Sequence, residues 1–297
     1  MSKRMFGNLA LLLTAMIWGS AFVAQSVGMD YVGPFTFQAA RSLLGSVVLL
    51  PVIFLMDRRG NEKKPATPEQ RKYLLGSGLA CGILLFAACA MQQVGLQYTT
   101  AGKSGFLTSL YIILVPLFGL FLGKKVTPWI WISIVLAAVG LYLLCGGGAF
   151  SLGKGELLTL GCAVTFSFHI LLIDRVSPKL DGVRLSCLQF FVCGVISLVF
   201  MAFTEKPQLS GLLQCWLPIC YAGILSSGVG YTLQIVGQSK TDPTVASLLM
   251  SLESVFSVIF GWLLLHQSLS VPEMLGCVLV FGGVILAQLP KKDKQAA

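Results

Sequence analysis

The sequence predicts an all-α membrane protein with ten transmembrane helices in two inverted five-helix repeats. Three observations predict it. The first is composition: 56% of the 297 residues are hydrophobic and 11% charged, with a mean hydropathy of +0.83, whereas soluble domains carry about a quarter charged residues. The second is length, because ten apolar runs each approach the roughly 20 residues that cross a hydrocarbon core of about 30 Å. The third is recurrence: residues of the first five runs reappear in the last five. An odd number of crossings per unit leaves the second unit starting on the opposite side of the bilayer, so the copies must be inverted.

The first unit, 7–146, holds spans over 7–27, 34–56, 72–95, 101–122 and 128–146; the second, 155–289, holds spans over 155–174, 183–203, 212–236, 243–265 and 271–289. Span 1 follows Lys3-Arg4 as a secretory leader would, yet its likeness to an internal segment argues that it is retained. Span 3 carries Gly78 and Gly82, a spacing suited to close helix packing. Thr100 and Ala101 precede span 4, whose Pro116 removes a backbone hydrogen bond and is expected to bend it. In span 8, residues 226–230 (Ser-Ser-Gly-Val-Gly) are the other expected weak point. Span 9 has a clear start, since Asp242 can accept from the free amides of the first turn and Pro243 fits the first helical position.

Charge placement fixes an expected orientation. The net charge of +9 does not point to nucleic acid, because the basic residues are distributed by side of the membrane. With the N-terminus inside, the cytoplasmic segments hold residues such as Arg58, Arg59, Lys63, Lys64, Lys124, Lys125, Arg184, Lys291 and Lys292, while the outer connections hold only Lys103, Lys154 and Lys206. Both termini are therefore expected in the cytoplasm, in a plasma (inner) membrane. The longest polar stretch is 57–72, so little mass stands outside the bilayer. The nine cysteines, Cys145 at a span end and the rest within spans, show no CxxC and read as small apolar packing residues.

The repeat is carried by particular pairs. Val94-Gly95, Thr99, Ser109 and Gly119 correspond to Val236-Gly237, Thr241, Ser251 and Gly261, and Gln92 corresponds to Gln234. Thr127 and Gly140 match Ser270 and Gly283, one inserted residue later, and Gly7, Ala15 and Trp18 match Gly155, Ala163 and Phe166. At 100° per residue, Gly105, Ser109, Pro116, Gly119 and Gly123 share one sector of span 4, and Ser247, Ser251, Ser254 and Gly261 share the equivalent sector of span 9. These stripes are expected to be helix contact faces, with pathway lining as the alternative.

Interior charge is the sharpest functional signal, since an ionised side chain at the bilayer centre costs at least about 2.5 to 3.5 kcal/mol. Two residues qualify, Arg41 on span 2 and Glu253 on span 9. Glu253 occupies the angular position that Tyr111 holds in the first unit, so both are expected to face the interior. Glu253 could bind a substrate ammonium or a coupling proton, or could form a structural ion pair, most simply with Arg41. The neutral polar and aromatic candidates include Trp18, Gln92, His169, Tyr231 and Gln234. His169, at the position equivalent to Ala21, could relay protons or bind substrate, or simply bond a neighbouring helix.

No catalytic residue, metal site or cofactor site is predicted. The segment 102–104 (Gly-Lys-Ser) looks like the tail of a phosphate loop, but Gln97 stands where its first glycine belongs. His169 and His266 have no cysteine or carboxylate at ligand spacing. The duplicated set resembles the EamA-type transporters of the drug/metabolite transporter superfamily, relatives of the nucleotide-sugar and triose-phosphate carriers. The matching stretches are 15–22 (AMIWGSAF), 38–41 (QAAR), the run from Gly95 to Gly123, and the run from Gly237 through 251–255 (SLESV) to Leu265. The resemblance implies secondary transport, usually export, of small metabolites such as amino acids or amines, while the small extramembrane mass argues against soluble enzymology and Glu253 leaves H+ as a possible coupling ion. It also implies a central cavity admitting Trp18, Gln92, Tyr111, His169, Tyr231, Gln234 and Glu253, with Arg41 matching a common arginine of span 2. Lys124 and Gln267 replace glutamates that often end spans 4 and 9, and Ser254 replaces a proline. The competing class is a non-transporting receptor or assembly partner.

Overall fold

The computed structural model describes residues 3–59, 65, 67–99, 101–144, 153–265 and 270–288. Thr100, Cys145, His266, Gln267, Lys63, Lys64, Lys291 and Lys292 lie outside the described residues. Ten helical runs follow in order, and no strand occurs among the described residues. They are α1 (Lys3–Met29), α2 (Pro34–Arg58), α3 (Pro68–Leu96), α4 (Ala101–Ser109 and Tyr111–Phe121), α5 (Pro128–Leu144) and α6 (Lys154–Val176). After a single 3-10 turn come α7 (Gly182–Thr204), α8 (Leu209–Gln214, Trp216–Cys220, Tyr221–Gly230 and Tyr231–Gln238), α9 (Pro243–Met250 and Leu252–Leu265) and α10 (Val271–Gln288). Nine are long and apolar enough to cross a membrane; α5, at 17 residues, is the shorter one.

The helix starts follow their local chemistry. Thr67 and Gln70 form a reciprocal cap on α3, and the Asp181 side chain accepts from the Arg184 amide at the start of α7. As predicted, Asp242 accepts from the Thr244 amide with Pro243 beginning α9. The start of α2 is capped from a distance: Glu205, just past the end of α7, accepts from the amides of Phe35 and Thr36, both at 2.8 Å, and from the Thr36 hydroxyl at 2.6 Å. At the other end of the same helix pair, Asp57 of α2 forms an ion pair with Arg184 of α7.

The packing pattern is unchanged when each helix is replaced by the one five places away. The principal partners are α5 with α10 and α2 with α7; α3 with α6 is matched by α8 with α1, α4 with α6 by α9 with α1, and α3 with α7 by α8 with α2. Glycines explain how close these crossings run. A Cβ on Gly155 would lie 2.9 Å from the Gly95 carbonyl, and one on the matching Gly7 would lie 3.1 Å from the Gly237 carbonyl. Likewise a Cβ on Gly140 would meet the Gly276 carbonyl at 2.7 Å, and one on its counterpart Gly283 would meet the Ser133 carbonyl at 2.7 Å. Gly78 and Gly82 do pack closely, against Leu188 and Val192 of α7.

The predicted weak point of α8 is a π-helical segment over Tyr221–Gly230. Its cause can be read from two crossings. Gly82 approaches the Gln189 carbonyl and Val192, whereas Gly223 approaches the Arg41 carbonyl and Leu44; both pairs of neighbours are related by the spacing that relates Gly7 to Gly155, which makes Gly82 and Gly223 equivalent. Gly95 and Gly237 are equivalent at the next crossing. The second repeat therefore holds one more residue between the crossings than the first, and widening from i→i+4 to i→i+5 bonding absorbs it.

Pro116 sits within the helical run Tyr111–Phe121, and α4 is also tightened at Leu110, whose amide bonds back only three residues, to Leu107. A break one residue out of register occurs in α9 at Ser251, where no proline stands. The breaks thus belong to the repeat. The expected contact faces are tight at their serines, which are buried, but not at the glycines of the first stripe. A Cβ on Gly105 or Gly123 would meet nothing within 4 Å, and Ser247 and Ser251 bond back to the carbonyls of Thr244 and Leu248 on their own helix. Within the stripes, the Ser109–Ser254 hydroxyl pair, at 2.8 Å, joins α4 to α9.

Candidate functional site

The two broken helices meet at their breaks. Tyr111 begins the second piece of α4 and Glu253 lies in the first turn of the second piece of α9. The Tyr111 hydroxyl donates to Glu253 Oε1 at 3.0 Å. Because these residues are equivalent under the repeat, their bond lies on the pseudo-twofold axis relating the halves. Leu110 and Ser251 keep right-handed helical backbone, so each turn tightens its helix without unwinding it.

A narrow cavity of about 40 Å³ opens beside this bond, room for about three waters at 10–15 Å³ each. It is lined on opposite sides by the repeat-related Gln92 and Gln234, and also by Trp18, Tyr231, Arg41 and Glu253. Trp18 and Tyr231 form an aromatic wall with ring centroids 4.5 Å apart. Six of the seven residues expected in a central cavity (Glu253, Trp18, Gln92, Tyr111, Tyr231 and Gln234) are brought together here.

His169 is not among them. Phe166 and Ile170, one turn apart on α6, face the cavity. His169, fully buried, turns toward α7 and bonds Gln189 Oε1 at 3.0 Å. It occupies the layer behind the wall. The suggested Arg41–Glu253 pair is also absent: among the described residues these two form no ion pair, although both line the cavity. The Arg41 Nε has no protein partner. Neither interior charge is neutralised by the other.

Sequence reasoning passed over Thr108 and Met250, which also line the cavity. The spacing that equates Gln92 with Gln234 equates these two as well, so the repeat itself was the signal that could have found them. At the end of α4, Lys124 makes an ion pair with Asp174 at the end of α6, closing one end of the bundle.

Residues 5–146 and 153–289 each match the EamA-like transporter family. An uncharacterized transporter of Archaeoglobus fulgidus is 31% identical over 97% of this chain and 87% of its own length. The uncharacterized inner membrane transporter YedA of Escherichia coli is 24% identical over 95% of this chain and 90% of its own. A WAT1-related chloroplastic protein of Arabidopsis thaliana is 25% identical over 92% of this chain and 67% of its own. One crystal structure matches with a TM-score of 0.77 at 20% identity, covering 95% of this chain and 96% of the other, a likeness of fold.

Proposed function

Because this chain belongs to the EamA-like transporter family, and is thus a multi-pass membrane transporter of small molecules, we propose that it is a secondary carrier working by alternating access around the central cavity. The observation that supports this best is the Tyr111–Glu253 bond, set where two half-broken helices meet and beside a polar cavity. Two five-helix units, 7–146 and 155–289, rock about it. The solute is a small metabolite such as an amino acid or amine, moved outward across the plasma (inner) membrane, with both termini cytoplasmic. Glu253 takes the cationic group or the coupling proton, Trp18 and Tyr231 form the wall, and Gln92 and Gln234 supply neutral hydrogen bonds. His169 acts through Gln189 to position α6 against α7. In the narrow conformation described above, the cavity is smaller than an amino acid, so loading requires the walls to part.

The test is counterflow. Wild-type protein in liposomes, loaded with an unlabelled amino acid or amine chosen by a thermal-shift screen, exchanges it for labelled solute. Glu253→Gln, which keeps size and loses the charge, inserts normally and loses exchange. Normal exchange by Glu253→Gln across several pH values would refute the assignment.

A further inference from the structure

The two halves of the cavity are related by symmetry, but their glutamines are not equally satisfied. Gln92 donates through Nε2 to Thr108 Oγ1 at 3.2 Å. Gln234, its repeat-related twin, is 1% exposed, and neither its Nε2 nor its Oε1 has a protein partner. The reason lies one helix away. The residue equivalent to Thr108 is Met250, which is fully buried, lines the same cavity, and offers a thioether where the first half offers a hydroxyl. A buried amide carries two donor hydrogens and an acceptor oxygen, and leaving all of them unmatched is costly in a low-dielectric interior. Since both ends of the amide are free, the conclusion holds whichever way its oxygen and nitrogen are placed. Trp18 Nε1 and Arg41 Nε, on the same cavity, are likewise without protein partners.

We infer that Gln234 is the specificity-determining contact for a neutral amide on the transported solute, and that methionine rather than threonine at position 250 keeps it free for that purpose. An amide presents a donor and an acceptor side by side, the complement of the glutamine end, so the two close a paired N–H···O=C contact. An apolar group in the same place leaves Gln234 unmatched, and sites built to pair a polar group discriminate strongly against analogues that lack it. The solute class is a small amino acid bearing a side-chain carboxamide. This deepens the carrier reading proposed above and rests on it.

The experiment uses the purified full chain in detergent, with glutamine and methionine as probes, two amino acids of similar length that differ in the amide. In the wild type, glutamine raises the thermal midpoint more than methionine. Met250→Thr recreates in the second half the contact seen between Thr108 and Gln92. It raises the ligand-free midpoint and weakens glutamine binding by up to about tenfold, the loss of one net hydrogen bond at its upper range, while methionine binding is unchanged. Gln234→Leu removes the preference for glutamine. Equal protection by the two amino acids, or wild-type glutamine affinity in Met250→Thr, overturns the inference. Protection by neither also overturns it. The carrier reading is decided separately, by Glu253→Gln exchange of whichever solute the broader screen returns.

Discussion

Replacing Gly276 with alanine tests one of the closest helix crossings among the described residues. Its added Cβ would sit 2.6 Å from the Gly140 carbonyl and 2.9 Å from the Leu144 amide nitrogen. Both are backbone atoms, so no side chain can swing aside. Restoring an ordinary contact of 3.4 Å requires α5 and α10 to part by about 0.8 Å, and a gap of 0.5–1 Å forfeits a quarter to a half of each dispersion well along the seam. Overpacking of this kind costs about 1–3 kcal/mol; taking about 2 kcal/mol, the folded-to-unfolded ratio falls about 30-fold. Equilibrium unfolding in a detergent–SDS titration, followed by tryptophan fluorescence, measures it. Gly105→Ala is the internal contrast, because its Cβ meets nothing within 4 Å and alanine is favoured over glycine in a helix by up to about 1 kcal/mol. An unchanged midpoint for Gly276→Ala, or an equal loss at Gly105, would refute the reasoning.

Two further outcomes follow from the site and its frame. Tyr111→Phe keeps the ring and removes the donor to Glu253; it loses about 1 kcal/mol of interaction, lowering exchange about fivefold in the counterflow assay. Glu205→Ala removes the acceptor for two amides and a hydroxyl at the start of α2 and destabilises the protein by about 1–2 kcal/mol, measured in the same SDS titration.

The helices and the equivalence of Glu253 with Tyr111 were legible because they depend on properties a sequence displays directly: apolar run length, repeat spacing and helical angle. Gly95, Gly155, Gly237 and Gly7 were found as repeat pairs and turn out to be paired crossings. The turn at Leu110 was not legible, since no glycine or proline stands there. For His169 the sequence left two inward directions open, toward the cavity or toward the next helix, and its bond to Gln189 follows the second. Arg41 and Glu253 share a cavity without bonding, a matter of distance that spacing along the chain does not encode.

The π segment of α8 has an unusual consequence for mutational tolerance. Deleting a residue from a regular helix swings everything beyond it by about 100°, usually ruining one contact surface or the other. Here the surplus residue is stored between two fixed crossings, so a single-codon deletion within 224–230 would shorten the coil to ordinary α geometry while both anchor points stay in place. The first repeat already demonstrates that shorter version in α3.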